Sequence, residues 1–327
     1  MRQARVNSLA KINLDLRVLN KREDNFHELR TVFQTISLAD VIKIEYEPAR
    51  KTELTLAGNV EIPDNLVIRA ARAALDTMKV KAYVHFHLSK RIPMGAGLGG
   101  GSSNAAAVLL ALPVLAGKSL APEELHEIGA ALGSDVPFFL LGGTAIALGR
   151  GTEMYPIADV AKDPILVVSA GLHVSTPEAY KALNRNLTFA GSSTSINNFQ
   201  GFVRTLAETG SARLASARSS NDFAAVVFRQ YPQLKSIKGR LRKLGAAAQM
   251  TGSGSSIFGI FESSVERERA LDELKSWKGI QNGEVFRAEL VSGRRYREMW
   301  RRQLAPHLDL SIDSREVRWP PRSRYAR

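Results

Sequence analysis

Between Pro93 and Ala107 the chain runs PMGAGLGGGSSNAAA, placing five glycines in the seven residues Gly95 to Gly101 directly ahead of an alanine- and leucine-rich stretch. Glycine loses more chain entropy on ordering than any other residue, so a run of this kind belongs neither inside a helix nor inside a strand. It requires a loop whose backbone is approached closely, opening into a helix. Without Cβ atoms the backbone N–H groups of such a loop converge, and the helix adds its unpaired N-terminal donors and the positive end of its dipole. The pair holds an anion, phosphate above all, with no charged side chain needed. The candidate phosphate cradle is therefore Pro93, Met94, Gly95, Ala96, Gly97, Leu98, Gly99, Gly100, Gly101, Ser102 and Ser103. The two serines can cap the helix, and their hydroxyls suit a phosphate oxygen or a magnesium ion. A merely flexible turn is the bland alternative, and five glycines are a heavy entropic cost for a connection alone.

Two other phosphate loops are excluded by their context. Gly95 to Gly100 satisfies G-x-G-x-x-G, but the dinucleotide fingerprint follows directly on a buried strand. Here Val80 to Leu88 alternates apolar and polar residues, and Lys90-Arg91-Ile92-Pro93 intervenes. Gly117-Lys118-Ser119 resembles the end of a Walker A loop, but Leu112 stands where its first glycine is required.

With 327 residues, 44% hydrophobic and 24% charged, the chain is globular and long enough for two lobes or one large domain. No apolar run approaches the roughly 20 residues of a membrane span. The start, Met1 to Val6, lacks the apolar stretch of a signal peptide, and there is no cysteine, so a cytoplasmic protein is expected. The net charge of +13 points to anionic partners. From Arg294 to Arg327, ten arginines face four acids, so this tail supplies +6 of the total and the body only +7. Arg301, Arg302, Trp319, Arg322, Arg324 and Tyr325 interleave arginine with aromatics, which suits nucleic acid. A flexible, solvated tail is the preferred expectation.

Strands are expected at Ala10 to Val18, Val41 to Tyr46, Glu53 to Leu56, Phe138 to Leu148, Pro164 to Ser169 and Ile257 to Phe261. Helices are expected at Asn65 to Met78, Ser103 to Ala116, Pro122 to Leu132, Ser219 to Gln230 and Gln233 to Leu244. Runs of strands and runs of helices suggest α+β rather than regular βαβ repetition. The expected division is 1–155, 156–293 and a tail over 294–327, with loose composition again at Ala190 to Ser195. Two polar residues stand out. Lys11 lies inside an apolar strand, so its ammonium needs an interior partner. Asp135 is expected to head an apolar strand at Val136-Pro137, where a carboxylate is unusual unless it is a cap.

Four ordered segments carry a resemblance: Ala10-Lys11-Ile12-Asn13-Leu14, the glycine loop, Gly133-Ser134-Asp135-Val136-Pro137-Phe138-Phe139, and Thr251-Gly252-Ser253-Gly254-Ser255. Together they resemble the GHMP kinases, small-molecule kinases that include homoserine and mevalonate kinases. The long loop GLGGGSSNAA, Asp24-Asn25-Phe26-His27-Glu28-Leu29 and Ser220-Asn221-Asp222-Phe223 are similar to the branch serving non-mevalonate isoprenoid synthesis, whose acceptor carries a cytidylyl group. The resemblance implies a two-lobed α+β fold: a ribosomal protein S5 domain 2-like N-terminal lobe and an α/β-sandwich C-terminal lobe.

It also implies ATP as phosphoryl donor, Mg2+ arriving with ATP rather than on a metal-ligand cluster, and a monomer or homodimer. Asp135 becomes the catalytic base and Lys11 its partner, which also offsets charge on the transferring phosphoryl group. Phe26 would stack on the cytosine in place of the family's usual tyrosine, His27 would read the base edge, and Asn13 would touch substrate. Gly252, Ser253 and Gly254 would form a second loop over the substrate, and Asn65 would lie near the adenine. On residue type alone, a single histidine in a loop is more often structural or merely exposed than a recognition residue. Asn25 replaces a glycine, and asparagine best tolerates a left-handed turn. Homoserine- or mevalonate-type phosphorylation, and ligand binding without catalysis, are the alternatives.

Overall fold

The computed structural model describes residues 1–183, 193–280, 283–309 and 319–325. Its first half is organised by one long antiparallel hairpin of β1 (Arg2–Lys21) and β2 (His27–Pro48). Asn25 at the tip takes φ 66°, in the left-handed region. β2 is long enough to serve two further partners. Val41–Pro48 pairs with β4 (Ala82–Ser89), and Leu29–Gln34 pairs with β5 (Thr144–Gly149). β3 (Glu53–Gly58) lies parallel to β4, and β6 (Glu153–Pro156) extends the far edge beyond β5. β4 alternates buried and exposed positions, as a sheet covered on one face requires.

Helices α1 (Leu66–Thr77), α2 (Gly100–Ala116), α3 (Pro122–Leu132) and α4 (Val136–Leu141) belong to this lobe. Every residue of α2 from Ser103 to Leu115 is buried, which is why the stretch is apolar all round from Ala105 onward. The second sheet has the order β10-β7-β9-β8, formed by β7 (Pro164–Ser169), β8 (Ala247–Met250), β9 (Ile257–Ile260) and β10 (Glu284–Glu289), all antiparallel. With it go α5 (Thr176–Leu183), α6 (Ser193–Thr209), α7 (Ala212–Ala215), α8 (Phe223–Gln230), α9 (Pro232–Lys243) and α10 (Ser264–Ser276). Two sheets with segregated helices make the fold α+β.

The lobes share an interior. Ala10, Ile12, Val32 and Ile36 pack with Ile165, Val167, Phe202 and Phe258. Residues 219–222 run along the open edge of β1, with Leu16 N–H donating to Ser220 O at 2.8 Å and Asp222 N–H to Leu16 O at 3.0 Å. The expected helix from Ser219 therefore begins only at Phe223.

Two further expectations are corrected. Phe138 to Leu148 is not one strand: Val136–Leu141 is helical, Gly142 and Gly143 turn the chain at φ 69° and 77°, and the strand starts at Thr144. Pro137 in the first helical turn favours this, and a short apolar run buried all round carries no periodicity to separate helix from strand. Nor is the described part of the tail a loose appendage. Its helix α11 (Gly293–Leu304) buries Tyr296, Trp300 and Leu304 in the first lobe, and the Tyr296 hydroxyl donates to Phe139 O. Trp319 Nε1 donates to Leu140 O at 2.6 Å, and the guanidinium groups of Arg2 and Arg324 lie 3.9 and 5.0 Å from the Tyr325 ring centre. The aromatics that suggested base stacking are thus engaged within the protein. Residues 310–318 and 326–327 of the tail, and 190–192 of the loose stretch, lie outside the described residues.

Candidate active site

A cavity of about 970 Å³ opens where β1, the glycine loop, the turn before α4 and the Thr251–Ser256 loop converge. Its wall contains Lys11, Asn13, Phe26, His27, Gly95, Gly97, Gly99, Asp135, Gly252 and Ser253. Residues far apart in sequence are brought to one space.

Within the glycine loop, Gly95, Gly97 and Gly99 alternate as left-handed residues at φ 64°, 77° and 68°. A Cβ on Gly97 would overlap the Thr251 carbonyl oxygen, and one on Gly99 would come within 2.9 Å of the Phe139 ring. Between them Ala96 and Leu98 point inward and lend only backbone: Ala96 O accepts from Ser256 N–H, and Leu98 O from Lys11 N–H at 3.0 Å. The loop is stitched on both sides.

α2 starts at Gly100 behind Gly99, and no side chain caps it among the described residues. The serines therefore sit in the first turn, not at the cap, and the leading N–H groups remain open for an anion. Ser103 is withdrawn from that role. It is buried, donates to Leu9 O at 2.6 Å and accepts from Ser8 Oγ at 3.0 Å. Ser102 is half-buried, with its hydroxyl near Gly133. The entry to the loop hangs on Asp40, which the sequence did not single out. Its carboxylate accepts from Arg91 N–H at 2.7 Å and Ile92 N–H at 2.8 Å, and pairs with Lys90 and Asn104.

Pro93 is half-buried and Met94 exposed. Asn65 is placed apart from the main cavity. It caps α1, accepting from Val67 N–H at 3.0 Å, and lines a second cavity of about 570 Å³ with Leu56, Gly58, Ile68 and Arg69. The chain neighbour of Asn65, Leu66, packs toward the start of α2, 3.7 Å from where a Cβ on Gly101 would stand.

Lys11 and Asp135 meet. Lys11 Nζ lies 3.4 Å from Asp135 Oδ2 and donates to Asn13 Oδ1 at 2.9 Å. The lysine side chain is 4% exposed and the aspartate 32%, so the ammonium is fixed and the carboxylate faces the cavity. Asp135 holds the N-cap position of α4 but makes no capping hydrogen bond, which removes the structural explanation for it. Asn13 is a brace. Its Oδ1 accepts from Lys11, Gly252 N–H and Thr251 Oγ, while its Nδ2 donates to Thr31. Asn221 holds the second loop from the other side, donating to Met250 O and Gly252 O at 2.8 Å each. Ser253 pairs with Thr176 at 2.8 Å. Gly254, at φ 89°, faces Met250 and Val174 and serves the turn rather than the cavity wall.

At the far end Phe26 is 46% exposed, with the Arg150 guanidinium 3.6 Å from its ring centre. His27 stacks on Tyr180 at 4.6 Å and 21°, and Tyr180 meets Phe223 edge-on. Burial, helped by the charge of Lys21, holds the His27 imidazole below its ordinary pKa, favouring the neutral ring. Burial likewise pushes the Tyr180 phenol up, with the Asp135 carboxylate adding to it. Tyr180, Arg150, His173, Lys21 and Lys181 line the cavity and were not found from sequence. The only local signal was Ser175-Thr176-Pro177 opening a helix.

Among the described residues no group of three metal-ligating side chains is assembled. No described helix is long and apolar enough to cross a membrane.

The chain is similar to known proteins along most of its length. The model of the GHMP kinases N terminal domain matches residues 65–143, and that of the GHMP kinases C terminal domain matches 202–279. A 4-diphosphocytidyl-2-C-methyl-D-erythritol kinase of Solibacter usitatus is 52% identical, covering 99% of this chain and 98% of the relative, so the likeness takes in the tail. The kinase of the same name from Syntrophus aciditrophicus is 41% identical over 83% of this chain and 95% of its own. A crystal structure of 4-(cytidine 5'-diphospho)-2C-methyl-D-erythritol kinase superposes with a TM-score of 0.71 at 36% identity, covering 88% of this chain and 98% of that one. A homoserine kinase from Cytophaga hutchinsonii, at 16% identity and TM-score 0.68 over 90% and 96%, shares the fold. With such identity along nearly its whole length, the chain belongs to the GHMP kinases, in the family of 4-diphosphocytidyl-2-C-methyl-D-erythritol kinases.

Proposed function

We propose that this chain transfers the γ-phosphoryl group of ATP to the 2-hydroxyl of 4-diphosphocytidyl-2-C-methyl-D-erythritol, releasing ADP. The observation that carries the reading is the Lys11–Asp135 pair, set in one cavity with the glycine loop that leads into α2 and with the aromatic end formed by Phe26, His27 and Tyr180. Phosphoryl transfer needs an aligned hydroxyl, shielding of the phosphate charge and an acceptor for the proton. Asp135 takes the hydroxyl proton. Lys11, held by Asn13, orients that carboxylate and offsets charge on the transferring group. The uncapped N-terminus of α2 and the loop from Pro93 to Ser102 hold the phosphates, and the cavity at Asn65 takes the nucleoside end.

Magnesium fits a set of hard oxygens made by the ATP phosphates with Ser102 and Asp135 at hand, and when bound it neutralises phosphate charge. At the other end Phe26 and Tyr180 offer ring faces to the cytosine, and neutral His27 offers a polar edge. The reading carries with it a cytoplasmic enzyme, monomeric or homodimeric, acting on small molecules rather than nucleic acid.

The test is ADP release with the cytidylyl acceptor, homoserine and mevalonate compounds supplied in turn. Activity is expected with the first alone, and turnover only on either of the others would overturn the reading. Asp135→Asn should cut kcat by about 10² to 10⁴, the usual worth of a positioned base, with ATP binding retained.

A further inference from the structure

The cavity wall is unbalanced in charge. Lys11, Lys21, Arg150 and Lys181 line it, and the only carboxylate beside them among the described residues is Asp135, already paired with Lys11. Lys21, Arg150 and Lys181 make no ion pair among the described residues.

Arg150 is the most constrained of the three. It sits in the turn between β5 and β6, flanked by left-handed Gly149 and Gly151 at φ 64° and 85°, with Gly151 N–H donating to Leu148 O at 2.9 Å. The guanidinium rests on Phe26, yet its Nε is buried and has no hydrogen-bond partner among the described residues. The nearby Asp24 pairs with Arg22 at 3.3 Å and feels Arg150 only through its charge, with no hydrogen bond to it among the described residues. A buried donor left unpaired is costly, and such a group in a cavity wall is satisfied by what enters the cavity. Guanidinium is also the side chain that stacks on an aromatic face and still presents a planar fork to phosphate.

We infer that Arg150 binds the diphosphate of the acceptor, with Lys21 and Lys181 adding charge around it, and that its seat on Phe26 holds the guanidinium ready for that anion. The inference rests on the acceptor being a cytidine diphosphate derivative. Such a molecule has its base at the aromatic end and its reacting hydroxyl at Asp135. The diphosphate between them passes along a wall where three cations make no ion-pair contact among the described residues. Arg150 is then a specificity residue: it distinguishes a diphosphate-linked acceptor from a neutral alcohol of the same length.

Binding of CDP, CMP and cytidine to the wild type and to Arg150→Gln and Arg150→Lys tests this, alongside KM for the cytidylyl acceptor. The wild type is expected to prefer CDP strongly over cytidine. Arg150→Gln should weaken CDP by about 10- to 100-fold, as expected for a lost charged hydrogen bond, while cytidine changes by less than about 3-fold. KM for the acceptor should rise in parallel and KM for ATP should not. Arg150→Lys, which keeps the charge but loses the planar fork, should recover part of the loss. Equal weakening of CDP and cytidine would overturn the inference, because Arg150 would then act only through Phe26. Unchanged CDP binding in Arg150→Gln would overturn it outright. A wild type that binds CDP selectively but does not phosphorylate the cytidylyl acceptor would instead sink the proposed reaction, leaving the CDP series to decide on Arg150 separately.

Discussion

The two ends of the cavity are built on opposite plans. At the Lys11–Asp135 end, polar atoms are tied to one another before any ligand arrives: Asn13 binds Lys11, Gly252, Thr251 and Thr31 at once, and Asn221 secures the second loop behind it. At the Phe26 end, an aromatic ring is half-exposed, an arginine Nε is unpartnered among the described residues, and lysines stand without counter-ions there. Reaction chemistry rewards groups fixed in advance, because reorganisation during transfer adds to the barrier. Recognition rewards groups left wanting, because the right ligand satisfies them and the wrong one does not. The first end should therefore govern kcat and the second KM for the acceptor.

After Asp135→Asn, the largest effect is expected from Gly97→Ala. The added Cβ would overlap Thr251 O and force a left-handed alanine, so the seam between the two loops must open. Misplacement of this order at a reacting centre costs about 10²-fold in kcat. Steady-state kinetics showing normal kcat in a folded Gly97→Ala protein would break the claim that this end is rigid by necessity. Phe26→Ala comes next. Loss of one stacking face is worth about 1 to 3 kcal/mol by alanine substitution, so KM for the acceptor should rise about 5- to 150-fold and kcat should move far less. A fall in kcat as large as the rise in KM would show that the two ends are not separable.

Much of the rigid end was legible in the sequence, and little of the receptive end was. The glycine loop announced itself because its requirement is local: no other residue type serves three alternating left-handed positions that backbone or side-chain atoms approach this closely. Ser102 and Ser103 were read as a pair, although neighbours on a helix point about 100° apart, and Ser103 is turned into the core while Ser102 is only half-buried. Asp135 was found but on the wrong element, since the apolar run after it is buried from every side. Tyr180 and Arg150 left no local mark. Tyr180 matters because it stacks on His27, and Arg150 because it lies on Phe26, contacts made by tertiary folding alone. The tail was misjudged for a different reason. Its arginines drew attention away from Tyr296, Trp300 and Leu304, which recur at helical spacing and mark a buried stripe.

The smallest expected effect bears on the neutral state of His27. Burial and then the Lys21 charge lower its pKa from 6.5, so the folded chain resists protonation that the unfolded chain accepts. The unfolded state therefore binds more protons just below pH 6.5, and the contribution of this group to stability falls as the pH drops through that window. In kcat/KM for the acceptor, which reports the free enzyme, the profile should stay flat at and above pH 6.5 and turn down only in more acid solution. His27→Gln should remove this limb. Lys21→Gln should move it back toward 6.5, because a like charge beside the imidazole is gone while burial remains. The shift on removing Lys21 is the discriminating reading, because it moves with the charge beside the imidazole. A limb that ignores both substitutions would belong to the rigid end, and His27 would then take no part in acceptor recognition.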